Sequence, residues 1–183
     1  LRTYHFQNST QQERTENYLQ NALIPALHRM EIKKVGVFKP IETDSTYGKK
    51  LIVLIPFNSL AEIDKLSDQL SNDKQYLADG KDYIDAPYDN PPYKRFETAI
   101  LKAFSGMPES KVPQLKAPVN ERIYELRSYE GHTEKIYLNK VKMFNDGDEI
   151  GLFNRLGFNA VFYAEVIAGS QMPNLMYMTT FEN

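Results

Sequence analysis

Two Arg-x-Tyr pairs are the strongest candidates for a functional site in this sequence. Arg2 and Tyr4 stand in LRTYH at the start of the sequence, and Arg127 and Tyr129 stand in YELRSYE further along. Alternate side chains of a β-strand point to the same face, so each guanidinium lies beside a phenol. An arginine in such a place can clamp a carboxylate or a similar anion with two hydrogen bonds. If this face lines a cavity, it predicts a site for a small anionic or amphiphilic ligand.

A structural role for both arginines is the competing interpretation. Buried charges are usually paired, and Glu97 or Glu165 on a neighbouring predicted strand could neutralise one of them. The two interpretations differ in whether each guanidinium meets a carboxylate of the protein or is left to bind something else.

A tyrosine-rich stretch, DYIDAPYDNPPYKR, is a second candidate site. Tyr88 and Tyr93 offer aromatic faces, and the aspartates between them offer acceptors, which would suit a sugar or an amphiphile. An ordered loop that is packed by its own tyrosines is the alternative. The whole stretch from Tyr76 to Tyr93 is predicted to be loop.

Several classes of site are absent from the sequence. It has no cysteine, and its three histidines are not at metal-ligand spacing. NDGDE, at 145–149, lacks the ligand spacing of a calcium loop and predicts a turn. There is no Ser–His–Asp grouping, phosphate loop or dinucleotide-binding turn. The sequence therefore implies no metal and no cofactor.

Composition and charge narrow the class of protein. Hydrophobic residues make up 42% and charged residues 25%, which is typical of a soluble globular protein. A formal net charge of −2 gives no basic surface for nucleic acid. No apolar run approaches the roughly 20 residues of a transmembrane helix. Since the sequence has neither an initiator methionine nor a signal peptide, we expect the natural N-terminus to lie outside it, which leaves export open.

The two Arg-x-Tyr strands open two similar stretches of sequence. Arg2 and Arg127 are 125 residues apart (127 − 2 = 125), and the next predicted strands are related by 124 at Val37 and Val161 (161 − 37 = 124). Each first strand is followed by a helix, which begins at a capping box on Ser9 in the first copy. Pro25 is predicted to kink this helix or to end its first part, and the helix of the second copy is predicted to start at Thr133 or at the turn around Gly131.

The element order predicts an α+β protein with tandem ferredoxin-like (β-α-β-β-α-β) repeats. The first repeat covers 1–104 and ends in a strand over 92–104. A proline-containing linker follows at 105–120, and the second repeat covers 121–183. The second repeat stops before its second helix and last strand, which would leave one face of its sheet uncovered. We therefore expect the sequence to be part of a longer chain.

These segments resemble the NIPSNAP family, particularly its bacterial members. The resemblance rests on YELRSY from Tyr124, the Asn-Arg-Leu-Gly helix end, VGVFKP at Val35–Pro40 and the ending NLMYMTTFEN. It implies the dimeric α/β-barrel architecture, in which two ferredoxin-like sheets face each other. The two halves of one chain, or two chains of a homo-oligomer, could supply those sheets. The family has no agreed catalytic residues to carry over.

Three functions remain open at this point. The leading hypothesis is a NIPSNAP-like protein of uncharacterised activity that binds a small ligand or a protein partner through a barrel. The alternative is an enzyme of the dimeric α/β-barrel group, of the cofactor-free monooxygenase or haem-handling type. A third hypothesis is an interaction module whose exposed sheet edges recruit partners.

Overall fold

The computed structural model describes residues 1–182, and the chain divides into two compact units, Leu1–Thr98 and Ala99–Asn183. Each unit contains a four-stranded antiparallel sheet with helices, so the predicted α+β class is confirmed. None of the helices among the described residues combines the length and the apolar character needed to cross a lipid bilayer.

The sheet of the first unit has the strand order β2-β3-β1-β4, with every neighbouring pair antiparallel. This order is compatible with a ferredoxin-like arrangement. Its strands are β1 (Arg2–His5), β2 (Gly36–Phe38), β3 (Lys50–Leu54) and β4 (Arg95–Thr98). The strand that carries the first Arg-x-Tyr pair therefore lies inside the sheet, with a hydrogen-bonded neighbour on each side.

The helices of the first unit follow local signals in the sequence. They are α1 (Ser9–Tyr18), a π-helical turn (Leu19–Leu23), α2 (Ile24–Arg29), α3 (Leu60–Asn72), α4 (Lys74–Asp79) and α5 (Lys81–Ile84). The cap of α1 is Asn8, whose side chain accepts the Gln11 N–H at 2.9 Å, so the capping box predicted at Ser9 is wrong by one residue. The disturbance predicted at Pro25 is the π-helical turn directly before it, because proline has no N–H for a helical bond.

The core of the first unit lies between its sheet and its helices. Alternate residues of β1 and the following position, Tyr4 and Phe6, are buried together with Leu51 and Val53 of β3. They pack against the apolar stripe of the first helical segment, which is made of Leu19, Ala22, Leu23, Ala26 and Leu27. The alternate apolar residues of the strands and the apolar stripe of the helical segment thus pack together on one face of the sheet.

The sheet of the second unit has the order β5-β7-β8-β6, again antiparallel throughout. Its strands are β5 (Ile100–Ala103), β6 (Ile123–Glu130), β7 (Asn159–Ala168) and β8 (Asn174–Phe181), and its helices are α6 (Glu134–Asn145) and α7 (Glu149–Arg155). The strand that carries the second Arg-x-Tyr pair is β6, and it lies at an edge of its sheet. Its only strand partner among the described residues is β8.

In the second unit α6 begins at one of the two starts that the sequence predicts. The Thr133 side chain caps α6 by accepting the Ile136 N–H at 3.2 Å. The turn predicted at NDGDE is confirmed, since it separates α6 from α7 and places Asp148 in the left-handed region at φ 59°. The core beneath these helices contains Phe144 and Tyr163, both fully buried or nearly so.

One predicted strand changes sheets in the middle. The strand predicted over 92–104 consists of β4, which pairs with β1, and β5, which pairs with β7. The first unit therefore ends at Thr98, before the boundary predicted at residue 104. The prediction missed this because the sequence of 92–104 carries no local signal for a change of partner sheet. Residues 105–122 form neither helix nor strand.

Candidate functional site

Both Arg-x-Tyr pairs lie on the faces of the sheets that carry the helices. Tyr4 is fully buried in the core formed with the helical segment of the first unit. In the second unit Arg127 stands directly opposite Tyr177, which is part of the core under α6. The sequence predicted a ligand site here only if this face lined a cavity. Around Tyr4 it does not, because side chains of the helices fill the space.

The guanidinium of Arg2 is surrounded by aromatic rings and phenols. Its Cζ lies 4.6 Å from the centre of the Phe96 ring. Among the described residues it forms no ion pair with a carboxylate, and its buried Nε has no hydrogen-bond partner. Glu97, predicted as a partner, instead places Oε1 2.6 Å from Nε2 of His5. Burial lowers the pKa of Arg2, but the phenols of Tyr4 and Tyr83 outweigh it and hold the pKa above its ordinary value.

A layer of tyrosines, here called the tyrosine cover, lies over Arg2 and Tyr4. It consists of Tyr18, Tyr76, Tyr83 and Tyr93. Tyr83 stacks on Tyr18 with ring centres 3.7 Å apart, and its hydroxyl donates to the Tyr4 hydroxyl at 3.3 Å. The hydroxyls of Tyr18 and Tyr76 are 2.8 Å apart. Helices α4 and α5, which the sequence predicted to be loop, deliver Tyr76 and Tyr83 to this layer.

Two phenols of the tyrosine cover, Tyr18 and Tyr83, are not poised for proton transfer. Burial raises the pKa of Tyr18 and Tyr83 far above 10, with further upward contributions from the phenols around them. A phenol in this state stays neutral near pH 7, whereas a general base must have a pKa near the working pH. The arrangement therefore favours packing over acid–base chemistry.

The structure separates the two tyrosines predicted as a loop site. Tyr93 belongs to the tyrosine cover, with its ring 5.7 Å from Tyr4 and 5.3 Å from Phe96. Tyr88 is 95% exposed and lies apart from that layer. The loop is anchored by Arg14, whose guanidinium donates to the carboxylate and carbonyl of Asp82 and to a nearby backbone oxygen. An ordered loop packed by its own tyrosines describes most of this stretch.

A polar hollow of about 320 Å³ lies beside this loop, at the start of α1. Arg14 lines this hollow and could attract an anion, but all three guanidinium nitrogens already donate to Asp82 or Asn90. Gln11, on another wall, is hydrogen-bonded to Gln7 and Pro91. The side chains of Arg14 and Gln11 are therefore already satisfied within the protein.

Arg127 in the second unit has a carboxylate partner on its own strand. Its Nη2 lies 2.9 Å from Oε1 of Glu125, and its Nη1 donates to the Tyr177 hydroxyl at 3.4 Å. The Glu125 hydrogen bond, followed by the Tyr177 bond, raises the pKa of Arg127 above its ordinary value. Glu165, predicted as a partner, instead accepts from Tyr137 and pairs with Lys102.

The second Arg-x-Tyr pair is open to solvent. The Arg127 side chain is 43% exposed and Tyr129 is 40% exposed. The Tyr129 ring stacks on that of Tyr177, with ring centres 5.9 Å apart, and the Lys140 ammonium lies 5.2 Å from the Tyr129 ring centre. We call Arg127, Tyr129, Lys140 and the exposed end of β6 at Glu130 the open surface of the second unit.

The open surface adjoins an unpaired strand edge. The second half of β6, from Arg127 to Glu130, is exposed, and no strand among the described residues pairs with its outer side. The sequence predicted an uncovered sheet face in the second repeat, whereas the exposed part is this end of β6, and successive residues of β7, Ala160–Ala164, are all buried. The sequence prediction missed Tyr177 and Lys140, because placing Tyr177 beside Arg127 and Lys140 beside Tyr129 requires the strand register and the position of α6. No group of three metal-ligating side chains occurs among residues 1–182.

Comparison with known proteins does not identify a function for this chain. No model of a known protein family matches the sequence, and no curated protein matches it.

Proposed function

We propose that this chain is a NIPSNAP-like binding protein, built from tandem ferredoxin-like copies, that holds a partner at the β6 edge. The repeat proposal is supported by strand register. Arg2 stands opposite Val53, and Arg127 stands opposite Tyr177. The two arginines are 125 residues apart (127 − 2 = 125), and their partners are 124 apart (177 − 53 = 124).

The observation that carries the binding proposal is that β6 lies at the edge of its sheet among the described residues. An edge strand presents a row of backbone donors and acceptors, and an extended peptide can satisfy them by adding a strand to the sheet. Beside this edge, Arg127 and Tyr129 offer a cation and an aromatic ring that are half exposed. Main-chain bonds would supply affinity, and these side chains would supply selectivity.

Selection from an unbiased peptide-display library, with the 183-residue chain as bait, tests this proposal. Selected peptides are synthesised and added to isotope-labelled chain, and backbone amide shifts are followed by NMR. We expect the shifts to concentrate on β6, β8 and the start of α6. Peptides that bind only elsewhere, or a selection that enriches nothing, would remove the proposal.

A small anion at Arg2 is a second candidate, and one observation favours it. The buried Nε of Arg2 lacks a hydrogen-bond partner, and phenol hydroxyls of Tyr4 and Tyr83 stand close by. Benzoate, which combines a carboxylate with a ring, is the probe for titration calorimetry. We expect saturable heat with the native chain and none with Arg2→Met. Equal heats for the two chains would exclude Arg2 as the anion site.

A further inference from the structure

We propose, resting on the binding function above, that the partner at β6 is a strand in which basic residues are followed by an aromatic residue. The segment Lys94–Thr98 of the first unit has this chemistry and covers β1 in this way. The same molecule thus contains an example of how an Arg-x-Tyr strand is completed.

The example is the antiparallel pairing of β4 with β1. Arg2 stands opposite Thr98, Tyr4 opposite Phe96 and His5 opposite Arg95. The Phe96 ring lies 4.6 Å from the Arg2 Cζ and its centre is 5.7 Å from that of Tyr4. One aromatic side chain on the added strand therefore contacts both members of the pair.

The same contacts are available on the open surface. An aromatic residue placed opposite Tyr129 in an added antiparallel strand would lie beside the Arg127 guanidinium, two positions along the same face. Both side chains are still two-fifths exposed, so an incoming ring has surface to cover. A ring over a guanidinium adds a cation–π attraction to the contact, and it displaces water from the part of each side chain that it covers.

The charge of Glu130 favours a basic residue in the added strand, next to the aromatic one. In this register the residue that corresponds to Arg95 falls opposite Glu130, whereas in the first unit Arg95 falls opposite His5. Glu130 is exposed and ends β6. Opposite charges directly across an antiparallel pair are stabilising, and like charges are destabilising. The open surface thus suits a basic–aromatic strand at least as well as β1 does.

A synthetic peptide with the sequence of residues 90–98, NPPYKRFET, is the probe. It is titrated into the isotope-labelled 183-residue chain, with amide shifts as the readout. We expect saturable shifts on β6 with a dissociation constant of about 1 mM or tighter. The peptide with Phe96→Ala should bind about tenfold more weakly, because it loses the ring over Arg127.

A charge exchange tests the register. Glu130→Lys in the chain should weaken binding about threefold or more, and a peptide with Arg95→Glu should restore it. Glu13→Lys, an identical charge change at an exposed position of α1, is the matched control and should leave binding unchanged. Because Glu130 and Glu13 are both exposed, neither variant is expected to disturb folding.

The outcomes separate this inference from the proposed function. If library peptides bind at β6 but NPPYKRFET does not, the basic–aromatic chemistry is wrong and the binding function stands. If neither binds at β6, both fall. Shifts on β6 that depend on the concentration of the chain alone would assign the edge to a second copy and overturn the inference.

Discussion

The two units place the same Arg-x-Tyr pair in opposite surroundings. In the first unit Tyr4 is fully buried and Arg2 lies under aromatic rings. In the second unit Arg127 and Tyr129 are about two-fifths exposed. The local sequence is nearly the same, so the difference must come from what other elements bring to the strand.

The two units differ in the elements that follow β3 in the first unit, which have no counterpart after β8 among the described residues. In the first unit, α4, α5 and β4 supply Tyr76, Tyr83 and Phe96 to the face and edge of β1. Among the described residues of the second unit, no corresponding helix and strand reach β6. An Arg-x-Tyr pair on a strand therefore predicts a binding surface only where its sheet leaves the strand uncovered.

The charge partners of the two arginines differ in the same direction. Arg2 is held by ring and phenol groups, without a carboxylate among the described residues. Arg127 has Glu125 at 2.9 Å, in a site that solvent reaches. An exposed ion pair contributes little to stability and is easily rearranged. The second arginine can therefore exchange its partner for a ligand at small cost, whereas a ligand at Arg2 would have to enter among packed aromatic rings.

Truncating the two tyrosines should give the largest contrast between the units. We expect Tyr4→Ala to lower the free energy of unfolding of the first unit by about 3–5 kcal/mol, since it removes a fully buried ring. Tyr129→Ala should cost the second unit about 1 kcal/mol or less, because the ring is already partly in water. Urea unfolding followed by hydrogen-exchange mass spectrometry reports each unit separately. Equal losses would mean that the two environments are energetically alike.

Removing single hydroxyls should give a smaller contrast. Tyr18→Phe leaves the buried Tyr76 hydroxyl without its 2.8 Å partner, which should cost about 1–2 kcal/mol. Tyr137→Phe is the matched change in the second unit, and it removes a 3.1 Å bond to Glu165. Glu165 keeps its ion pair with Lys102, so we expect a loss of about 1 kcal/mol or less. A larger loss for Tyr137→Phe, by the same unfolding assay, would contradict the comparison.

Local signals in the sequence predicted much of the fold. The cap at Thr133, the turn at NDGDE and the irregularity before Pro25 depend on a few neighbouring residues, and each of these features is confirmed. The α+β class follows from the order of the elements, which hydrophobic periodicity identifies without knowledge of packing. Counting elements predicted an uncovered sheet face in the second repeat, but the structure instead exposes the second half of β6, while Ala160–Ala164 of β7 are buried on both faces.

Features that depend on distant residues could not be read from the sequence. The division of 92–104 into β4 and β5 depends on which sheet offers a free edge, and residues far along the chain decide this. The tyrosine cover requires two short helices, α4 and α5, whose six and four residues give too few turns for a periodic signal. The orientation of the Arg-x-Tyr face depends on which side of the sheet the helices occupy.

Releasing the loop of the first unit should have a moderate effect. Asp82→Ala removes the carboxylate that accepts Nε and Nη2 of Arg14, while the bond from Arg14 to the Asn90 carbonyl remains. Because Asp82 is largely exposed, we expect a loss of about 0.5–1 kcal/mol. Hydrogen exchange in α5 should quicken, and exchange in α6 should not change. Asp89→Ala, on the same loop, is the control.

The smallest predicted effect is on acid stability, and each unit has its own carboxylate for it. The Tyr76 N–H, followed by the Arg29 guanidinium, lowers the pKa of Asp73, which caps α4. In the second unit the N–H groups of Lys116 and Ala117 lower the pKa of Glu182. A carboxylate whose pKa is lower in the folded state stabilises that state fully above its unfolded pKa, near 3.8 for aspartate and 4.5 for glutamate. This stabilisation is lost as the pH falls through the folded pKa.

The pH dependence should therefore separate by unit below about pH 4.5. With Asp73→Asn, protection of α4 from hydrogen exchange should depend less on pH in acid. The pH dependence of protection at residues 116–117 should stay as it is. Glu182→Gln should do the reverse, because its carboxylate is bonded only within the second unit among the described contacts. Carboxyl-carbon NMR titration gives the two folded pKa values directly. A titration of either group at or above its unfolded value would show that the hydrogen bonds holding that carboxylate do not persist in solution, and for Asp73 this would loosen the helix that brings Tyr76 to the tyrosine cover.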